Sequence, residues 1–408
     1  MQWRAYDPER DRKAAQRIWY ETGWLRPDRT QGFEEVSTAG RAIVAEVEGT
    51  PECLVLTAPG SLRYQERELP FCGVTGVTTS RVGRRQGLAG RLTARAVALD
   101  AAAGAAVEGL GMFDQGFYDR LGFGSGGYEH ILAVDPMSLD AQAAARSPVR
   151  LGMDDWEEIH AARRERPRRH GGLAFDNPVL TRAQMYRSEH AFGLGFREAG
   201  RLTHHLWCIP ESDNRNQGPF RVAWLCYRNR EELRELLALL KDLGDQVLLV
   251  RLQEPPGIQL QDFIKRPFRH YAQTAAGRFE MRNEARAFWQ MRILDLPRCA
   301  AATSIPSKVD FNLELSDPIE RYLDAGDAWR GVGGNWTVRF GPASEARRGS
   351  EPGLPMLQAD VGAFTRLWLG VLPATGLAAA GKLSGSKELL ERLDGALALP
   401  QPKPDWDF

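Results

Sequence analysis

Two arginines and a glycine stand between a β-branched run and an Ala-rich one in VTGVTTSRVGRRQGLAGRL, Val74 to Leu92. Val74, Thr75, Val77, Thr78 and Thr79 favour an extended strand. Leu88, Leu92, Ala96 and Leu99 recur at helical spacing, which places Gly87 near a helix N-terminus. The first amides of a helix lack internal partners and sit at the positive end of its dipole, so strand, turn and helix start together make an anion site. Arg84 and Arg85 add two fixed positive charges, and a pyrophosphate suits such a site. Neither GxGxxG nor GxxxxGK[ST] is present; what stands there is RxxGxA, on Arg84, Gly87 and Ala89. A second group able to do chemistry, Tyr118, lies about one helix and one strand further on, in FYDRLGF, Phe117 to Phe123.

Composition bounds the rest. The chain has 408 residues, long enough for two to four domains, with 43% hydrophobic and 26% charged residues. The 53 basic and 53 acidic side chains balance, which argues against nucleic acid as a partner. No apolar run approaches the roughly 20 residues that span a bilayer, and MQWRAYDPERDRK carries no apolar signal region. Five scattered cysteines without CxxC read as reduced thiols, so a cytoplasmic location is expected. HExxH is absent, and His204 and His205, as neighbours on a strand, point to opposite faces; no metal is expected.

The elements that must position these groups follow in order. Asp7 to Glu21 reads as a helix capped by Asp7, with Pro8 in its first turn. RAIVAEVEG and CLVLTAPGSLRYQ read as strands, AAVEGLGMF as another after the helix that Gly104 breaks, and YEHILAV as the strand closing a first α/β domain, residues 1–140. From 141 to 286, RVAWLCYR, a leucine-faced helix (Leu233, Leu236, Leu237, Leu240, Leu243) and QVLLVRL repeat the strand–helix–strand layout, which suggests an internal duplication. Its turn has no glycine, and Glu231 and Glu232 at the helix start would repel a phosphate. ARRERPRRHGG within this domain reads as a solvated charge run. Residues 287–408 read as a small α/β unit (FWQMRILDL, VDFNLELSD and GNWTVRF as strands, DVGAFTRLWLG and SKELLERLDGAL as helices) ending in PQPKPDWDF, a proline-stiffened tail.

RxxGxA followed by FYDRLGF resembles the coenzyme A loop and the tyrosine motif of the GNAT acetyltransferase superfamily. Together with YRNREELRELLALLKDLGDQV, MRILDLPRCAAA and LQADVGAFTRLWLGVLPATGLAAAGKL, the whole chain resembles the enhanced intracellular survival (Eis) family of GNAT N-acetyltransferases. The resemblance implies an α/β fold with mixed sheets: a catalytic GNAT domain, a second GNAT-like domain with a degenerate coenzyme site, and a sterol carrier protein-like domain, assembled as a homohexamer. It implies acetyl-CoA as cosubstrate and a primary amine as acceptor, aminoglycoside-like or polyamine-like. Val77, Thr78 and Thr79 would meet the pantetheine arm, and Arg84, Arg85, Gln86, Gly87, Leu88 and Ala89 the pyrophosphate. Tyr118 would be the general acid and the terminal carboxylate of Phe408 the general base. Trp24, Phe33 and Asp407 are the candidates for the acceptor pocket, which Leu121 and Phe123, standing where the family often has Phe and Tyr, would reshape. A protein lysine acetyltransferase and a non-catalytic lipid- or small-molecule-binding protein are the alternatives.

Overall fold

In a computed structural model of the chain, the described residues are 2–26, 30–112, 114, 116–188, 190–211, 217–267 and 271–407. The elements begin with β1 (Gln2–Ala5), α1 (Pro8–Glu21), α2 (Gln31–Thr38), β2 (Arg41–Val47), β3 (Thr50–Tyr64), β4 (Arg67–Thr79), α3 (Leu88–Ala102), β5 (Val107–Gly111) and β6 (Gly124–Ser125). Then come β7 (Glu129–Val134), β8 (Val149–Leu151), α4 (Trp156–Glu165), β9 (Leu173–Phe175), α5 (Val179–Met185), β10 (Phe192–Glu198), β11 (Arg201–Pro210), β12 (Phe220–Cys226), α6 (Arg230–Asp242), β13 (Val250–Gln253), α7 (Tyr271–Thr274) and β14 (Arg282–Arg286). The last are β15 (Trp289–Ile293), α8 (Leu296–Ala302), β16 (Val309–Ser316), β17 (Gly334–Phe340), β18 (Glu345–Arg348), β19 (Met356–Asp360), α9 (Val361–Trp368), α10 (Ala374–Ala379), β20 (Leu383–Gly385) and α11 (Lys387–Ala396).

Two compact units result: Met1–Gly127 with Arg169–Asn177 and Ala287–Phe408, and Tyr128–Arg168 with Pro178–Arg286. In the first, a sheet runs β1-β2-β3-β4-β5-β15-β6, with β9 added to β3. Asp7 caps α1 by accepting the Glu9 amide at 2.9 Å, and Pro8 fills the first helical turn, where its missing N–H costs nothing. Period-two alternation along β2 and β3 sends Ile43, Ala45, Cys53 and Val55 to a cluster with Leu88 and Leu92 under α3. It sends Val44, Leu54 and Leu56 to the opposite face, against Trp19 and Phe33 of α1 and α2. Each Val, Leu, Ile or Phe among them contributes about 1.5–3 kcal/mol when fully buried.

The sheet partners correct one expectation. YEHILAV does not close the first sheet: β7 pairs with β13 and β14 in the second unit. Its place is taken by β15, from the start of the last segment, which lies antiparallel between β5 and β6. At Gly126 a Cβ would stand 2.1 Å from the Trp289 ring, so only glycine lets the chain pass that indole as it leaves the first sheet. Strand identity follows from local pattern, but partner choice does not.

The second unit is a sheet β14-β7-β13-β12-β11-β10-β8 backed by the leucine face of α6. Its part of the charge run is only partly solvated: Arg163 and Arg166 are buried, Arg163 donating to Gln184 at 2.6 Å, while Arg164 is exposed. His204 and His205 do face opposite ways. His204 stacks on Phe196 and meets Glu235 of α6 at 3.1 Å, whereas His205 accepts the Trp224 indole N–H at 3.1 Å. A third sheet, β18-β17-β16-β19-β20, completes the first unit with α8–α11; Phe311 and Phe340 of its neighbouring strands meet at 5.7 Å, whereas Trp368 of α9 stacks on Tyr64 of β3 at 4.1 Å.

Beneath α3 lies a fully buried carboxyl, Glu108 of β5, opposite Arg292 of β15. Burial, reinforced by Asp100, pushes its pKa well up, while Arg292 and Arg41 pull the other way. A group whose folded pKa exceeds its unfolded value favours the fold at low pH, and that contribution is lost as pH rises through the folded value. Glu108→Gln is therefore expected to be more stable than the parent at neutral and alkaline pH. The gap should open above about pH 4.3 and grow by at most about 1.4 kcal/mol per pH unit. Denaturant melts from pH 4 to 9 measure it, and a gap that does not vary with pH would refute the assignment.

Candidate active site

The geometry of the site begins with one extra residue. Val55 pairs with Val77, Leu56 with Gly76 and Thr57 with Val74, so Thr75 is a β-bulge that bends β4. Immediately before the bulge the parallel pairing of β4 with β5 stops: it joins only Phe71–Val74 to Val107–Leu110. From Thr75 to Thr79 the β5 side of β4 is open among the described residues. Ser80 donates its amide to the Glu52 carbonyl on the β3 side at 2.9 Å. Amides alternate in direction along a strand, so those of Val77 and Thr79 point into the gap. This is a ready-made edge for an extended chain carrying carbonyl acceptors. Thr78 is buried beside it, its hydroxyl without a partner among the described residues.

At the end of this edge lies the predicted turn. Ser80 Oγ accepts the Gly83 amide at 3.0 Å, Glu21 accepts the Arg81 amide at 2.6 Å, and the Gln86 side chain donates to the Val82 carbonyl at 2.8 Å. Glu52 and Glu21 are in turn held by Arg17. Arg85 and Gly87 adopt φ of 61° and 75°. Gly87 is the N-cap of α3, and nothing lies within 4 Å of where its Cβ would stand, so the conformation rather than space favours glycine. Having no side chain, Gly87 leaves the first amides of α3 uncapped. Arg84 and Arg85 are exposed, and among the described residues neither meets a carboxylate. Leu88 is buried and Ala89 half-buried, anchoring the helix start. Open strand edge, uncapped helix and two uncompensated cations fit an acyl-pantetheine diphosphate.

Tyr118 sits on the apolar side of this gap. It opens a short 3-10 turn, Tyr118–Leu121, and shares the buried cluster of Val77, Leu88 and Leu92. Phe117 and Phe123 flank its ring edge-on at 4.8 and 6.1 Å. Burial raises the pKa of its hydroxyl above the ordinary tyrosine value, and the Asp114 charge adds to this. The group is thus kept as a neutral donor. Leu121 and Phe123, expected to shape an acceptor pocket, are 1% and 2% exposed core residues instead.

The remaining candidates separate. Phe33, 1% exposed, is core beneath α2 and offers no surface to a ligand in this conformation. Trp24 is 46% exposed, edge-on to Trp19. Phe408 lies outside the described residues. The tail leading to it is a strap: the Lys403 amide donates to the His170 carbonyl at 3.2 Å, the Leu173 amide to the Pro404 carbonyl at 2.9 Å, and Trp406 packs edge-on against Phe175 at 5.8 Å. As far as Pro404 the strap runs beside the 170–173 segment that leads into β9; at Asp405 the chain takes a φ of 51°, and Asp407 beyond it is half-buried. Nothing in the local sequence marks 170–175 as the rail for the tail.

The second unit repeats the backbone device without the charges. Trp207 pairs with Trp224 and Cys208 with Val222, making Ala223 a bulge, and β12 joins β13 in parallel only over Phe220–Val222. At the start of α6, however, buried Glu232 accepts the Arg228 amide at 2.6 Å and its guanidinium at 2.9 Å. An internal anion occupies the helix start where the first unit leaves cations exposed.

Comparison with known proteins places this architecture. Residues 299–404 match the sterol carrier protein domain. No curated protein matches the chain. Among solved structures, Eis1 from Mycobacterium abscessus is 17% identical over 100% of both chains, with a TM-score of 0.76. A GCN5-related N-acetyltransferase from Anabaena variabilis is 14% identical over 100% of both, at 0.78. A probable N-acyltransferase of unknown function from Enterococcus faecalis is 16% identical over 100% of this chain and 99% of that one, also at 0.78. The chain therefore has the mixed α/β fold of these acetyltransferase structures, with a sterol carrier protein-like domain at its C-terminal end. Among the described residues no helix is long and apolar enough to cross a membrane.

Proposed function

We propose that the chain is an acetyl-CoA-dependent N-acetyltransferase acting on primary amines of aminoglycoside-like or polyamine-like molecules, a cytoplasmic enzyme that assembles as a homohexamer. The carrying observation is the gap that opens beyond Val74, which leads from the Tyr118 cluster to the uncompensated pair Arg84 and Arg85. Val77 and Thr79 would hold the pantetheine arm through their amides, with the Thr78 hydroxyl beside them. Arg84, Arg85, Gln86, Gly87, Leu88 and Ala89 would hold the diphosphate. The amine nitrogen forms the new C–N bond as the C–S bond breaks. The ammonium gives one proton to the terminal carboxylate of Phe408 before attack, Tyr118 gives its hydroxyl proton to the departing thiolate, and the second proton leaves the acylated nitrogen to restore the Tyr118 hydroxyl through solvent. An α-carboxyl with an ordinary pKa near 3.5 is a weak base, so this role needs burial to raise it, or a water relay. Asp407, and Trp24 at the surface, would attract the cationic acceptor. Sedimentation tests the assembly, a single-chain particle being the result that removes it.

The alternative, a lipid or small-molecule carrier, predicts no turnover, so one experiment separates the two. The deciding experiment is coenzyme A release from acetyl-CoA with polyamine and aminoglycoside acceptors, comparing the intact chain with one lacking Phe408, neither tagged at the C-terminus. Intact protein should turn over. Loss of Phe408 should lower kcat about 10²-fold or more with the acetyl-CoA KM little changed. Equal turnover would remove the carboxylate from the mechanism. Absence of stabilisation by acetyl-CoA, which at 100 times its Kd should add about 2.7 kcal/mol, would remove the enzyme reading itself.

A further inference from the structure

We infer that Arg292 and Asp317, from the last segment of the chain, are positioning residues for Tyr118, an inference that deepens the acid role proposed above. Arg292 lies on β15, wholly buried, and donates one arm of its guanidinium to the Leu121 carbonyl at the end of the tyrosine turn. The other arm meets Asp317 at 2.6 Å, with both side chains fully buried. Asp317 is itself fixed, accepting the amides of Val332 at 2.9 Å and Ile319 at 3.2 Å. The turn fits this seat closely. Gly122 has φ 79°, and a Cβ there would stand 2.5 Å from Val361 and 3.0 Å from the Arg292 guanidinium. A Cβ on Gly124 would stand 2.2 Å from the Gly362 carbonyl oxygen, so two backbones meet without side chains between them. Upstream, Gln290 donates to Asp119, the neighbour of Tyr118, at 2.6 Å.

Every one of these holds comes from residues 290–362, far along the chain from the motif they support. A buried ion pair gains little net stability over a hydrophobic replacement, yet removing one partner is costly. What the fork of Arg292 adds is direction: one planar group fixes a carbonyl and a carboxylate together, which a point charge cannot do.

The test uses the full chain with Arg292→Lys and Asp317→Asn, each made alone and again with Tyr118→Phe. Two readouts are taken: steady-state kinetics, and the tyrosinate difference spectrum of each protein against its Tyr118→Phe counterpart. Displacing the phenol by about an ångström should lower kcat by about 10²-fold, with the acetyl-CoA KM within about twofold, because the β4 edge is untouched. In both variants the Tyr118 tyrosinate signal should move down toward the ordinary value near pH 10. Asp317→Asn keeps the shape of the pair and carries the test where Arg292→Lys fails to fold. Unchanged kcat and unchanged titration in folded variants would overturn the inference. If Tyr118→Phe alone leaves turnover intact, the acid role falls, and the titration still decides whether the pair positions the ring.

Discussion

Tyr118→Phe is expected to lower kcat by about 10²–10⁴-fold, the range that a positioned proton donor supplies, without loss of fold or of acetyl-CoA affinity. The substitution removes one oxygen and keeps the ring, whose edge contacts with Phe117 and Phe123 hold it in the cluster under α3. The diphosphate and pantetheine seats lie on β4 and the turn after it, so binding should be spared. The sign of the pH dependence is also fixed. A donor must be protonated, and burial moves the Tyr118 pKa above 10, so this group should impose no alkaline limb on kcat below about pH 10. Stopped-flow and steady-state rates, with acetyl-CoA affinity measured separately, separate the two effects. A variant with parental kcat would place the proton donor elsewhere, in solvent or on another residue.

How much of this was legible in the sequence depends on the range of the interactions. The strand, the turn with Gly87 and the helix after it are local, and β-branched residues followed by helical spacing announce them. Tyr118 was reachable for the same reason, inside one heptapeptide. The bulge at Thr75, which sets the gap to which those residues matter, depends on register against β3 and leaves no local mark. Neither does the exchange by which β15 replaces β7 in the first sheet, since both read equally well as strands. Arg292 left no mark of its role: in WQMRI it falls with Gln290 on the polar positions of a period-two alternation, the pattern of a solvated strand face, yet both are buried. Phe33 reads as a pocket candidate and stands 1% exposed, because an aromatic in an early helix looks the same whether it lines a pocket or fills a core. The duplicated unit was legible through its leucine face, but only the structure shows Glu232 folded back onto Arg228 while Asn229 caps α6 by accepting the Glu232 amide.

Reversing both charges of the turn, Arg84→Glu with Arg85→Glu, should weaken acetyl-CoA binding by about 10²-fold or more at low salt, since each charge-assisted hydrogen bond contributes about 1.5–3 kcal/mol before solvent screening. Both side chains are exposed, and the loop beneath is held by Ser80, Glu21 and Glu52, none of which the substitutions touch. The fold should therefore survive, and melting of the free protein should show it. The loss should shrink as salt rises, because exposed charges are screened over about 10 Å at 0.1 M. It should also vanish for a donor that lacks the diphosphate. S-acetylpantetheine presents the same thioester and the same amide-bearing arm to Val77 and Thr79, so its kcat/KM should be alike in parent and variant. A variant that loses both donors equally has lost the strand edge or the Tyr118 cluster, not the anion seat. A variant that keeps acetyl-CoA at parental affinity would mean that the diphosphate is carried by the helix start alone, with the arginines left to solvent.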